Sequence, residues 1–292
     1  MELLSPVLVL LAGTLATSIH LRWRERGGAV NIVLNMAPSS FDDQYLRCHF
    51  KMMRALPALN RTEFVPYSDY AEVWSKAAAL WDSRPYLGPP LRLEQAVALL
   101  AYTMEDSLYP EFNQATRAAG RSRQEYLRSF HFKVLHFLLT EALKDLRSAR
   151  GQPRCLHVYR GVTVRFVTAP GRIVRFGQFA STSLLKNVSV SYGTTTVFEV
   201  DTCYGADIRH FSNYPEEEEV LIPPFETFKV TNVTHQGNET YIHLRSHGVH
   251  SNYNCAWFRA PSLASSGRGV PREPPGLTGL LLAVLAAVTG TP

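Results

Sequence analysis

The nine residues "EEEEVLIPP", Glu216–Pro224, decide how the second half of this chain is read. Four adjacent carboxylates repel one another, and a charge run of this kind is ordinarily a solvated surface. Directly behind them Val220, Leu221 and Ile222 make a short apolar run bounded by prolines, which predicts a strand. Side chains alternate faces along a strand. Carried back into the acidic run, that alternation puts Glu217 and Glu219 on one face and Glu216 and Glu218 on the other. Two carboxylates side by side next to a sheet can do chemistry, so the rest of the chain must say whether they do.

Working outward, strand-like runs recur at Leu156–Tyr159, Thr195–Val200, Thr227–Val233 and Thr240–Leu244, punctuated by Gly and Pro. They lie too close together for helical crossovers, which predicts a mainly antiparallel sheet. Upstream of "GQPRC" (Gly151–Cys155) the pattern is helical. The stretch "APSSFDDQYLRCHFKMMRAL" from Ala37 reads as a helix capped by Ser40, with Asp42 and Asp43 at its positive end. "SDYAEVWSKAAALW" puts Val73, Ala77, Leu80 and Trp81 on one face, and "RLEQAVALLAYTM" does the same with Leu93, Val97 and Leu100. Ser122 and Glu125 make a capping-box pattern. Beyond them Leu135, Leu138, Leu139, Ala142, Leu143 and Leu146 keep the 3.6-residue period of one helix. The expected class is α+β: a helical N-terminal part (residues 30–150) packed on a β-rich core (residues 151–260). No G-x-G-x-x-G follows a strand, so no Rossmann fold is expected.

Two further motifs stand in the β-rich half. In "VYRG", Val158–Gly161, an arginine sits at a strand end beside a glycine. Arg160 can offer a planar fork of donors to phosphate or carboxylate, and Gly161 lets a ligand approach the backbone. In "FGQFASTSL", Phe176–Leu184, Ser181 and Ser183 share a face if the segment is a strand, and their hydroxyls can both donate and accept. Ser181 is not in a G-x-S-x-G elbow, so it is not read as a hydrolase nucleophile.

The 292 residues carry a formal net charge of +5. That modest excess suits phosphate ligands, and with no basic stripe interleaved with aromatics a nucleic-acid partner is not expected. Residues 1–18, with the apolar run Val7–Leu15, read as a secretory signal, although Glu2 stands where a basic residue is usual. Residues 261–292 read as a Pro-rich linker and a hydrophobic tail. Small residues Ser265, Ser266 and Gly267, a polar spacer and the apolar run from Leu277 match a lipid-anchor (GPI) signal, with a weak membrane helix or a disordered tail as the alternative. Cys48, Cys155, Cys203 and Cys255 make no C-x-x-C pair, so zinc is not expected. In an oxidising compartment they imply two disulfides, with three pairings open. Sequons at Asn60, Asn187, Asn232 and Asn238 agree with a secreted glycoprotein. The histidines have no cysteine partners and suggest no metal site.

An arginine, then Ser-x-Ser, then Glu-x-Glu on three successive strands is far more specific than any one of these motifs. The order resembles the R-S-E signature of the vertebrate ecto-mono-ADP-ribosyltransferases, in particular the arginine-specific branch. "FDDQY", "FGQFAS", "EVLIPPFE" and "NCAWF" are similar to family segments, so the likeness runs from about Ala37 to Phe258. It implies a two-sheet core holding NAD in a cleft, with no metal, and transfer of ADP-ribose from NAD, or also NADP, to arginine side chains of proteins. By resemblance Glu219 stabilises the ribosyl cation, and Glu217 receives the guanidinium and helps remove its proton. Arg160 anchors the phosphate side, and Ser181 holds Glu219 and the ribose. Tyr102, Gln178 and Ser212 are carried over as NAD contacts, and Tyr214 is an exposed candidate contact for the target protein. The resemblance also pairs Cys48 with Cys255 and Cys155 with Cys203. It implies an extracellular monomer, either GPI-anchored or secreted. An NAD glycohydrolase on the same scaffold and an inactive cell-surface binding module are the competing readings.

Overall fold

The computed structural model describes residues 31–63, 69–84, 90–104, 107–149 and 155–258. The expected signal segment and the C-terminal tail lie outside the described residues. The helical part comprises α1 (His49–Glu63), α2 (Asp69–Asp82), α3 (Leu93–Thr103), α4 (Leu108–Ala119), α5 (Arg123–Ser129) and α6 (Lys133–Ala149), preceded by a short strand β1 (Asn31–Val33). After it come β2 (Leu156–Val162), β3 (Arg165–Val167), β4 (Ile173–Val174), β5 (Ala180–Ser183), α7 (Lys186–Ser191), β6 (Thr196–Thr202), β7 (Ala206–Asp207), β8 (Glu219–Ile222), β9 (Glu226–Gln236) and β10 (Glu239–Val249).

The helical period holds where burial is deepest. Leu135, Leu138, Leu139, Ala142, Leu143 and Leu146 are all buried on α6, as are Val73 and Ala77 on α2 and Val97 and Leu100 on α3. Leu93 is instead 55% exposed, because it is the first residue of α3 and precedes the buried turns. The long helix expected from Ser122 onward is two helices. Ser122 accepts from the Glu125 amide and caps α5, but Phe130 turns extended and drops into the core. A new helix then starts, with its free amides satisfied from elsewhere. The Glu63 carboxylate, from the end of α1, accepts from the amides of Lys133 (2.9 Å) and Val134 (3.0 Å).

The expected capped helix from Ala37 is a further correction. Residues 37–48 are irregular, with left-handed φ at Ala37, Tyr45 and Arg47, and α1 begins only at His49. Ser40 does not cap: its hydroxyl donates to the Gly177 carbonyl at 2.6 Å. Asp42 forms a fully buried ion pair with Arg175 (2.6 Å) and accepts from the amides of Asn252 and Tyr253. Asp43 accepts from the amides of Tyr45, Cys255 and Ala256. These side chains seam the start of the described fold to its end, and the Cys48–Cys255 disulfide closes the same seam. A second disulfide joins Cys155 to Cys203, at the outer ends of β2 and β6.

β1 and β3 pair in parallel as a two-stranded sheet, and the other strands form an eight-stranded sheet in the order β4-β9-β10-β6-β2-β5-β8-β7. Every pairing in the larger sheet is antiparallel except β10 with β6. Val158, Phe198, Val200, Val220, Ile222, Phe228 and Ile242 are buried in its core. The helical core is aromatic: Phe41 stacks on Tyr126 at 4.0 Å and Phe112 on Phe179 at 5.6 Å. His136 lies among these rings, hydrogen-bonded to the Tyr45 hydroxyl, and burial holds its pKa down at about 3, so it stays neutral. No helix among the described residues is long and apolar enough to cross a membrane. Of the sequon asparagines, Asn187, Asn232 and Asn238 are exposed, and Asn60 is half-buried within α1.

Candidate active site

A cavity of about 1000 Å³ opens where the helical part meets β2, β5 and β8. The end of α3 contributes Tyr102 and the start of α4 contributes Tyr109. Arg160 comes from β2, Ser181 and Ser183 from β5, and Glu217 and Glu219 from the acidic turn. The two motif strands lie against each other directly, Tyr159 opposite Ser183 and Ser183 in turn opposite Glu219, so register alone brings the three motifs together.

Arg160 lies inside β2, which runs on through Gly161 to Val162. Its guanidinium donates to the Ser181 carbonyl at 2.5 Å and to the Tyr109 hydroxyl at 3.5 Å. Those neutral partners leave its charge uncompensated by any carboxylate within ion-pair range among the described residues, a setting suited to an anionic ligand. Tyr102 is almost fully buried. It donates to the Phe179 carbonyl (3.1 Å), accepts from Asn113 (3.2 Å), and packs edge-on to Tyr109. It therefore holds both the strand that carries Ser181 and the tyrosine that touches Arg160.

The acidic run is not a continuous strand. Pro215–Glu217 is a single 3-10 turn, Glu218 is left-handed (φ 46°, ψ 50°), and β8 begins at Glu219. Simple alternation is thus the wrong reason for the right convergence. The left-handed residue turns the chain so that Glu217 and Glu219 both line the cavity, while Glu218 points away to Arg209 at 3.4 Å and Glu216 is exposed. A non-glycine residue in that region costs about 1–2 kcal/mol. Strand β5 offsets the cost, since Ser183 donates to the Glu217 carbonyl at 2.6 Å and the Leu184 amide to the Glu218 carbonyl at 3.2 Å.

Glu219 is 6% exposed. Burial pushes its carboxyl up to about 7; the nearby Glu217 charge acts in the same direction, and the hydroxyls of Ser181 and Ser212 and the charge of Arg160 oppose it. Ser212 stands behind the cavity wall rather than in it. It is fully buried, donates to Glu219 at 3.3 Å and accepts from the Tyr214 amide. The loop is fastened to the helical part by Arg84, which donates to the Ser212 carbonyl, and by Thr103, which accepts from the Asn213 amide. Tyr214, expected exposed, is half-buried and lines the cavity, because it starts the 3-10 turn and its backbone is bound to Ser212. Gln178 is half-buried in the bend before β5 and is not among the residues lining the cavity.

The sequence reading missed two tyrosines at the cavity, Tyr109, which touches Arg160, and the exposed Tyr192, whose hydroxyl donates to Glu217. Neither sits in a motif. Tyr109 sits in the first turn of α4 and Tyr192 just past α7, and no shared local pattern marks them. Among the described residues no three His, Cys, Asp or Glu side chains are grouped to hold a metal ion.

One arginine, a hydroxyl-bearing strand and paired glutamates around a single cavity, on a mixed sheet, define the ADP-ribosyltransferase class. The chain belongs to the NAD:arginine ADP-ribosyltransferase family, whose profile matches residues 34–252. It is 50% identical to the Gallus gallus NAD(P)(+)--arginine ADP-ribosyltransferase 2, over 98% of this chain and 93% of the relative. It is 46% identical to the Mus musculus GPI-linked NAD(P)(+)--arginine ADP-ribosyltransferase 1, over 89% of this chain and 86% of the relative. Among solved structures, the eukaryotic mono-ADP-ribosyltransferase ART2.2 is 36% identical with a TM-score of 0.66, covering 77% of this chain and 98% of that one. A variant of that enzyme solved in complex with NAD is similar, with a TM-score of 0.63.

Proposed function

We propose that this protein transfers ADP-ribose from NAD, or NADP, to arginine side chains of proteins and releases nicotinamide. The observation that carries this reading is the shared cavity of Arg160, Glu219 and Glu217, a lone guanidinium facing two acids of different burial. Arg160 takes the diphosphate of the dinucleotide through charge-assisted hydrogen bonds. Ser181 orients Glu219 and the nicotinamide ribose, and Ser212 supports Glu219 from behind. The bond from the ribose anomeric carbon to nicotinamide breaks, its electron pair leaves with nicotinamide, and the ribose acquires oxocarbenium character as in glycoside cleavage. The ionised Glu219 carboxylate lowers the energy of that cation in a water-poor site. A free guanidinium is protonated and not nucleophilic. Glu217 aligns it and accepts its proton as the new carbon–nitrogen bond forms.

Glu217 also supports transfer over simple hydrolysis, because it gives the incoming guanidinium an ionic seat that water does not need. The test is incubation with NAD and agmatine, with products followed by mass. An agmatine adduct carrying one ADP-ribose supports the proposal. Free ADP-ribose with no adduct leaves the glycohydrolase reading, and unchanged NAD leaves the binding module. Localisation belongs with the same proposal. The two disulfides fit an oxidising compartment, and the mouse relative is named as GPI-linked. We place the protein outside the cell, lipid-anchored or secreted, with the signal segment, the sequons and a monomeric state as parts of that reading.

A further inference from the structure

Tyr192 follows α7 directly and stands at the cavity mouth, 55% exposed, with its hydroxyl donating to Oε1 of Glu217. Its aim is built in at both ends of the short helix. At its C-terminal end, beside Tyr192, a Cβ on Gly161 would lie 2.2 Å from the Gly193 carbonyl oxygen and 2.4 Å from that of Ser189. A Cβ on Gly193, at φ +146°, would lie 2.5 Å from the Thr163 nitrogen. Backbone therefore packs on backbone here, and only glycine at both places lets α7 settle against β2. At its N-terminal end Lys186 pairs with Glu199 at 2.9 Å and lies over the rings of Tyr159 and Tyr241. α7 is thus fixed to β2, β6 and β10, and Tyr192 projects from a braced support.

We infer that Tyr192 is the positioning residue for the acceptor guanidinium. The inference rests on the transferase reading above. A carboxylate offers about four lone-pair sites over two oxygens. The phenol occupies one on Oε1, which holds the carboxylate in a single orientation and leaves Oε2 and the remaining Oε1 site for the planar fork of an arginine. Holding one rotamer removes an ordering cost that binding would otherwise bear. The exposed ring beside the carboxylate also offers a face on which a guanidinium plane can stack. Water needs neither the orientation nor the ring, so Tyr192 acts on the choice of acceptor and not on cleavage of NAD.

The experiment compares wild type with Tyr192→Phe, which keeps the ring, and Tyr192→Leu, which removes it, measuring agmatine adduct and free ADP-ribose in the same reaction. Loss of one hydrogen bond to a charged group predicts a rise of about 10-fold in KM for agmatine in Tyr192→Phe and a product ratio moved towards free ADP-ribose. Tyr192→Leu goes further. KM for NAD and the rate of NAD hydrolysis without agmatine stay within about 2-fold of wild type, a split that a merely structural role would not give. An unchanged product ratio in both variants overturns the inference, as does an equal fall in both products. A lower KM for agmatine in Tyr192→Phe overturns it too, since the bond would then be a latch that the acceptor must break. Wild-type protein that never modifies agmatine defeats the transferase reading itself and takes this inference with it.

Discussion

Replacing Glu219 by Gln should abolish activity and, in alkaline solution, stabilise the protein. The side chain is nearly fully buried and titrates near 7 in the fold, against 4.5 for an ordinary glutamate, because burial penalises its charge. The folded pKa is raised, so its stabilising share is fully present below 4.5 and is lost as pH rises through about 7. The interval of about 2.5 pK units corresponds to about 3 kcal/mol at 1.36 kcal/mol per unit. Glutamine keeps the volume and can still accept from Ser212, but it never ionises. At pH 8 Glu219→Gln should therefore be more stable than wild type by about 3 kcal/mol, and at pH 5 by less than about 1 kcal/mol. For a domain of this size, roughly 2–4 °C accompanies each kcal/mol, so melting at pH 8 should rise by about 6–12 °C. Thermal or urea unfolding of both proteins across pH 5–8 is the assay. A stability difference that does not grow with pH would refute the assignment of a strained, buried charge. The same ionisation should appear in catalysis. Because the charged form is required, kcat/KM of the wild type for NAD should climb with pH through an acid limb near 7 rather than near 4.5.

Three other outcomes are expected. Glu217→Gln should lose most arginine transfer while NAD cleavage survives, read from the adduct and free ADP-ribose in one assay; intact transfer would overturn the division of labour between the two acids. Arg160→Lys should cut kcat/KM for NAD by about 10–100-fold through KM, as loss of charge-assisted bonds worth about 1.5–3 kcal/mol requires, with isothermal titration of NAD as the check. Asp42→Ala should leave Arg175 buried without its partner and cost about 3–5 kcal/mol in urea unfolding; a loss under about 1 kcal/mol would show that the seam tolerates an unpaired guanidinium.

Much of the architecture was legible because one element dominated its own environment. The leucines of α6 follow the helical period since nearly the whole helix is buried, and Val158, Val220 and Ile222 lie on strands of the core. The motif order Arg160, Ser181, Glu219 was legible because three neighbouring strands present it in register. Long-range partners were not legible. Ser40, Asp42 and Asp43 carry the signature of a helix cap, yet their acceptors and donors come from Gly177, Arg175 and residues 252–256. A capping rule sees only the next turn. The break before α6 is likewise licensed by Glu63, about 70 residues earlier. Glu218 hides the turn geometry because nothing in a run of identical glutamates marks which one takes a left-handed backbone. Tyr109 and Tyr192 act from outside every motif, across space rather than along the chain.

The strand order carries a consequence for how the molecule comes into being. β10, the last strand among the described residues, inserts between β6 and β9 and supplies the backbone ladder between two sheet fragments that are otherwise tied only by side-chain bonds such as Thr202 to Glu226. A ribosome that has delivered everything up to residue 238 has produced two raw edges and no finished sheet, a template for clumping. Ordinary maturation must wait for the closing residues, and a chain cut short there is expected to be discarded by quality control instead of serving as a weaker enzyme.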